Sequence, residues 1–196
     1  MSGDGNRLDR RAAVRTLLAD RGEMLVVTGL GSATYDTAAA GDDDRNFYLW
    51  GAMGGAAMVG LGLALAQPAR PVTVITGDGE MLMGIGSLAT IGAAAPANLS
   101  IVVLDNERYG ETGMQRSATA FGVDLAAVAR GCLFADTRTI DTLTEVETLA
   151  ADVRRMAGPL FASVRISRAD VPRVLPTRDG AIIRARFRQA VLGQPD

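Results

Sequence analysis

Val74-Ile75-Thr76-Gly77-Asp78-Gly79-Glu80 is a short β-branched run that stops at glycines and acids. Ile101-Val102-Val103-Leu104-Asp105-Asn106-Glu107-Arg108-Tyr109-Gly110 repeats the pattern. An apolar run of this length without alternation reads as a strand buried on both faces of a parallel sheet. Each run empties into a loop at its carboxyl end, the edge at which open α/β sheets bind ligands. The polar groups delivered there are the Asp78 carboxylate and the Asn106 amide oxygen. Both are hard oxygen donors, suited to Mg²⁺ or Ca²⁺ rather than to a soft metal. Gly77 and Gly79 beside them let backbone approach a ligand closely. The expectation is a magnesium-bridged phosphate site.

Working outward, the chain alternates helix and strand. Residues 8–20 read as a helix with a loose apolar face and arginines on a solvated one. Residues 24–28 are a first buried strand, closed by the loop Gly29-Leu30-Gly31-Ser32-Ala33-Thr34. That loop starts G-x-G after a strand, but Thr34 stands where a dinucleotide fingerprint has Gly or Ala. No acidic-ended second strand follows at the required distance. It reads better as a loop whose backbone amides touch a phosphate. Asp42-Asp43-Asp44 lie in a polar loop and face solvent. After Phe47-Tyr48-Leu49-Trp50, the turn Gly51-Ala52-Met53-Gly54-Gly55 leads into a helix over 56–66 whose small, apolar residues pack on both sides. Met53, between glycines at a strand-to-helix turn, is either core or ligand-facing.

Downstream, the pattern predicts a helix over 81–95, a strand over 100–104, and a glycine-broken polar loop at 108–115 of the kind that carries function. A short helix at 123–130 and a strand at 131–135 follow. Thr142-Leu143-Thr144-Glu145 is a capping box that opens a helix with Leu143, Val146, Leu149, Ala150, Val153 and Met156 on one face. Residues 160–166 form the last strand. The predicted fold is α/β, a doubly wound, mostly parallel sheet. Its domain covers residues 1–170, and a basic tail over 171–196 carries one more helix at 181–192.

The totals exclude several classes. The chain has 196 residues, enough for one core, and that core must be aliphatic, since aromatics make up only 5%. A net charge of −2 gives no electrostatic case for nucleic acid or anionic membrane. The single Cys132 sits in an apolar run and reads as a buried, inert thiol, so no disulfide forms within the chain. The N-terminus is too polar for a signal peptide, and no membrane-spanning helix is expected. The expected location is the cytoplasm. There is no histidine. A histidine general base, a histidine-dependent nucleophile and histidine-ligated zinc are therefore excluded within this chain.

Gly77-Asp78-Gly79, followed after residues 80–105 by Asn106, resembles the cofactor motif of thiamine diphosphate-dependent decarboxylases and acetolactate synthases. Trp50-Gly51-Ala52-Met53-Gly54 is similar to the companion turn of those enzymes. The run from Leu104 to Gln115 is most similar to sulfopyruvate decarboxylase β subunits and phosphonopyruvate decarboxylases. The resemblance covers roughly residues 20–166. It implies that Asp78, Asn106 and the Arg108 carbonyl hold Mg²⁺ against the diphosphate of thiamine diphosphate. Backbone near Gly29, Leu30, Gly79 and Glu80 would hold its oxygens, with Gly77, Ala52, Tyr109 and Gly110 completing the surround. It also implies catalytic roles for Met53, which bends the cofactor, and for the Gly51 carbonyl, which accepts from its amino group.

The same resemblance implies an α-type partner subunit that supplies the pyrimidine-binding domain and its glutamate, hence a hetero-oligomer acting on a small 2-oxo acid. A 3-sulfo- or 3-phosphono-substituent could meet Arg108 or Arg116. Two departures stand out. Glu80 puts a carboxylate beside a diphosphate, and Arg116-Ser117-Ala118-Thr119 lacks the histidine often found there. The alternatives are an acetolactate synthase-like carboligase, a 2-oxo acid oxidoreductase subunit and a non-catalytic cofactor-binding or regulatory module. The oxidoreductase is disfavoured because one cysteine cannot ligate an iron–sulfur cluster.

Overall fold

The computed structural model describes residues 7–193. Six strands form the main sheet: β1 (Leu25–Thr28), β2 (Asn46–Tyr48), β3 (Val72–Gly77), β4 (Leu99–Asp105), β7 (Asp136–Ile140) and β8 (Leu160–Arg165). Their spatial order is β2-β1-β3-β4-β8-β7, and every pairing is parallel. A separate two-stranded antiparallel ribbon pairs β5 (Arg108–Tyr109) with β6 (Gln115–Arg116). The sheet order reverses between β1 and β3, because the chain leaves β1 toward β2 and leaves β3 in the opposite direction. That reversal opens a crevice between the two carboxyl ends.

Alternate strand residues feed two cores, as the period of two requires. Val26, Ile75, Val102, Leu104 and Val164 face one layer, covered by α1 (Arg10–Leu18), α2 (Ser32–Ala40) and α7 (Leu143–Arg154). Leu25, Val27, Val74, Ile101, Val103 and Phe161 face the other. That layer is covered by α3 (Ala56–Ala66), α4 (Asp78–Met83), α5 (Ser87–Ala94) and α6 (Leu125–Gly131). Strands buried on both sides explain why β3 and β4 carry no polar alternation. The capping box at Thr142 and Glu145 starts α7 as expected. The tail helix is α8 (Gly180–Leu192), and it packs on β2 through Ile183 against Tyr48 and Phe187 against Phe47.

Five local expectations need correction. The loop over residues 29–34 ends three residues early, at Gly31, because Ser32 already opens α2. The helix expected over 81–95 is two helices, broken at Gly84-Ile85-Gly86 where α4 turns against the Met53 segment. Residues 131–135 are not a strand. Phe134 N–H bonds back to the Ala129 carbonyl, and the run is apolar because Phe134 plugs into the core against Phe161. The strand comes next, at Asp136-Thr137-Arg138-Thr139-Ile140, on the sheet edge, where the first four residues are half-buried and Ile140 alone is buried. Cys132 is half-buried rather than buried, since it caps the surface end of α6. Arg10 does not lie on the solvated face of α1: it is buried against Asp36.

Candidate functional site

The sequence delivers two polar groups to neighbouring strand ends. Gly77 pairs with Leu104 in the last step of the β3–β4 register, so Asp78 and Asp105 emerge side by side, followed by Asn106. Asp78 is 1% exposed. Burial pushes its carboxyl up to about 6, and the charge on Asp105 adds to the shift, while the neighbouring Ser117 hydroxyl and backbone amides hold it back. The Asp105 carboxyl is raised as well, again chiefly by burial. Thr119 lies between them, with its hydroxyl 2.9 Å from Asp105 Oδ1 and 3.3 Å from Asp78 Oδ2. Among the described residues no ion pair reaches Asp78. A buried carboxylate without a cation is expensive, and a bound metal ion removes the cost.

Asn106 folds into an Asx turn, its Oδ1 accepting from Arg108 N–H at 2.9 Å. Glu107 sits at the apex with φ +61, a left-handed conformation that a glutamate adopts only at a cost. Arg7 and Arg168 both pair with its carboxylate and pin it there. The turn sends the chain into β5, and Tyr109 then lies flush on Gly79, where an added Cβ would come within 2.5 Å of the ring.

The opposite wall comes from β1. Gly29 packs on Glu80 so closely that its Cβ would fall 1.6 Å from Oε2. Glu80 is 4% exposed, and its Oε2 accepts from Leu30 N–H at 3.0 Å. Burial raises its carboxyl, and the surrounding backbone amides offset part of that. The Leu30 amide, expected to hold a phosphate oxygen, is therefore committed to Glu80. This also bears on the departure at Glu80: one carboxylate oxygen is held by the Leu30 amide beneath the loop, while Oε1 is buried without a hydrogen-bond partner.

These walls enclose one cleft. Leu30, Met53, Gly77, Asp78, Gly79, Glu80, Asn106, Arg108, Tyr109 and Gly110 all line it. Gly29 lies behind the wall. Gly51 and Ala52 are exposed on a turn with positive φ at both residues, outside the lining, and Met53 is the member of that turn that faces in. Arg116 is not in the cleft. It lies over the ring of Phe121, which is 71% exposed. Sequence reasoning did not find Ser32, Glu111, Thr112 or Ile166 in the lining, nor Thr119 and Ser117 beside Asp78. The last two stand in the segment noted only for its missing histidine.

The donor set tests what the cleft can hold. Among the described residues no three His, Cys, Asp or Glu converge as a metal cage. One buried carboxylate and one amide oxygen leave most positions of an oxygen-loving divalent ion for backbone and for a ligand's own oxygens. That suits Mg²⁺ shared with a phosphate group. A metal–phosphate pair fits these residues.

The family described as "Thiamine pyrophosphate enzyme, C-terminal TPP binding domain" matches residues 30–164. Phosphonopyruvate decarboxylase of Streptomyces viridochromogenes is 39% identical over 195 residues, covering 96% of this chain and 48% of that protein. Sulfopyruvate decarboxylase subunit beta of Methanothermobacter thermautotrophicus is 41% identical over 167 residues, 84% of this chain and 86% of that protein. The chain thus spans about half the length of the first relative and most of the second. Among solved structures, benzoylformate decarboxylase of Polynucleobacter necessarius superposes with a TM-score of 0.73 at 21% identity. The match covers 84% of this chain and 34% of that one, a likeness of fold.

Proposed function

Because the chain belongs to the thiamine pyrophosphate enzymes, as their C-terminal TPP-binding domain, we propose that it is the diphosphate-binding subunit of a heteromeric 2-oxo acid decarboxylase. The observation that carries the reading is the Asp78 carboxylate, buried and without an arginine partner among the described residues, beside Asn106 at the point where the sheet order reverses. Asp78, the Asn106 oxygen and the Arg108 carbonyl hold Mg²⁺, and the ion holds the diphosphate. Gly79 and Tyr109 close one side of the cleft and Leu30 the other. Met53 supports the cofactor from below, and the Gly51 carbonyl on the adjoining turn accepts a hydrogen bond from its amino group. When bound, thiamine diphosphate supplies the electron sink for the pair left behind as CO₂ departs.

The chain has no histidine, and its 20 basic residues are all arginine. Side chains that readily exchange protons near neutrality are therefore nearly absent, and the cleft offers only carboxylates and Tyr109. The acid–base group, a glutamate, comes from an α-type partner that carries the pyrimidine-binding domain. The substrate is a small 2-oxo acid with an anionic group on C3, sulfonate or phosphonate. Two relatives act on such acids by name, and Arg108 is the cation in the cleft wall able to meet that group. Arg116, turned outward onto Phe121, is not part of this proposal. The complex works in the cytoplasm.

The test is CO₂ release from 3-sulfopyruvate and 3-phosphonopyruvate by the chain alone, by an α-type subunit alone, and by the mixture. Release only by the mixture, abolished by Asp78→Ala in this chain, supports the proposal. Full turnover by the chain alone rules out the partner. A mixture that binds cofactor yet decarboxylates neither acid rules out the substrate class.

A further inference from the structure

Ser32 opens α2 and lines the cofactor cleft. Behind it, Arg10 on α1 donates through Nη1 to Ser32 Oγ at 2.6 Å. Arg10 is 7% exposed, and its Nε lies 3.1 Å from Oδ2 of Asp36, which is fully buried. Arg11 reaches the other Asp36 oxygen at 3.4 Å. A buried ion pair is a poor source of stability compared with apolar packing, so stability alone does not account for this arrangement. Its directional effect is definite. A guanidinium only donates, so on the Arg10 side Ser32 can only accept. The hydroxyl's own hydrogen remains, and among the described residues no protein acceptor takes it. It is left for something in the cleft that accepts.

We propose that Asp36 and Arg10 are positioning residues that fix the Ser32 hydroxyl as a donor to a terminal phosphate oxygen of the bound diphosphate. The inference rests on the thiamine diphosphate reading above. It also supplies what the committed Leu30 amide cannot, a side-chain donor on the β1 wall of the cleft. Net charge does not do this work. In the hollow behind Ser32, Arg168 and Arg173 are opposed by Glu111 and Asp170. Selection lies in where one hydrogen points, and a fixed donor loses less entropy on binding than a free rotor.

The experiment is calorimetric titration of magnesium pyrophosphate into the full chain. The proteins compared are wild type, Ser32→Ala, Arg10→Met, the double variant and Asp78→Ala. Ser32→Ala is expected to weaken binding about tenfold, the effect of one charge-assisted hydrogen bond. Arg10→Met is expected to weaken it similarly and to add little in the Ser32→Ala background, because both act through one hydroxyl. A merely structural Arg10 would give losses that add.

Removing Arg10 leaves Asp36 with Arg11 alone and can cost stability, but Ser32→Ala deletes a single oxygen and decides the matter by itself. Wild-type affinity in Ser32→Ala, with binding lost in Asp78→Ala, overturns the inference and leaves the cofactor reading intact. Additive losses overturn the roles of Arg10 and Asp36. A wild-type chain that binds no magnesium pyrophosphate overturns both the inference and the reading beneath it.

Discussion

Adding one methyl group at Gly84 tests how the turn that carries Met53 is held. A Cβ there would lie 2.1 Å from the Gly54 carbonyl oxygen and 3.0 Å from its Cα. Carbon–oxygen contacts normally begin near about 3.3 Å, so the two segments must part by roughly 1 Å. Neither side is a flexible side-chain tip. Gly54 holds φ +89, so its turn cannot relax into an ordinary conformation. Overpacking of this kind costs about 1–3 kcal/mol, offset by the smaller entropy of an unfolded alanine, about 0.4–1 kcal/mol. The net expectation is about 1–2 kcal/mol of lost stability. For a domain of this size that lowers the melting temperature by about 2–8 °C.

Gly86, two residues on, is the control. It has helical dihedrals, φ −62 and ψ −22, and nothing within 4 Å of an added Cβ. Gly86→Ala should therefore stabilise by about 0.4–1 kcal/mol through the unfolded state alone. Urea unfolding of the metal-free proteins, followed by circular dichroism, measures both. Equal stability of the two variants, or a Gly84→Ala protein as stable as wild type, would refute the close packing of α4 on the Met53 turn.

Two further predictions come from buried side chains. The folded Asp78 carboxyl titrates near about 6 against an ordinary 3.8, so between those values the folded protein holds a proton that the unfolded chain has released. Stability of the metal-free protein from this group therefore falls as pH rises from about 4 to about 6. Asp78→Asn should be more stable than wild type at pH 7, by on the order of 2 kcal/mol, with the advantage vanishing below about pH 4. A pH-independent difference between the two proteins in urea unfolding would contradict it. Ile183, 1% exposed, seals α8 against Ala38 and Tyr48. Ile183→Ala should cost about 2–4 kcal/mol in the same assay, whereas a neutral result would mean that α8 is not part of the folded unit.

The elements legible in the sequence are those whose pattern is set locally. β3 and β4 are continuous β-branched runs because both faces are covered, and their acid and amide ends mark the ligand edge without any knowledge of neighbours. The capping box of α7 is complete within four residues. What stayed hidden depends on partners distant in sequence. β7 is polar at four of its five residues and is a strand because β8 pairs with it at the sheet edge. Ser32-Ala33-Thr34 reads as the end of a loop but opens α2, whose Asp36 is buried in the core against Arg10 and Arg11. The division of the helix expected over 81–95 follows from the contact between Gly84 and Gly54.

In the candidate site the glycines and the Asp78–Asn106 spacing were readable. Thr119, which reaches both buried carboxylates, was not, because only the return of the β5–β6 ribbon brings it there. The destination of the Glu80 carboxylate, the Leu30 amide, likewise appears only once β1 and β3 are paired.

The measurement that bears most directly on the central claim is calorimetric titration of thiamine diphosphate into the chain together with an α-type subunit, with Mg²⁺ and again with EDTA. The account predicts binding that requires the metal and is lost in both Asp78→Ala and Asn106→Ala. Binding of equal strength in EDTA, or binding that survives both substitutions, would contradict it.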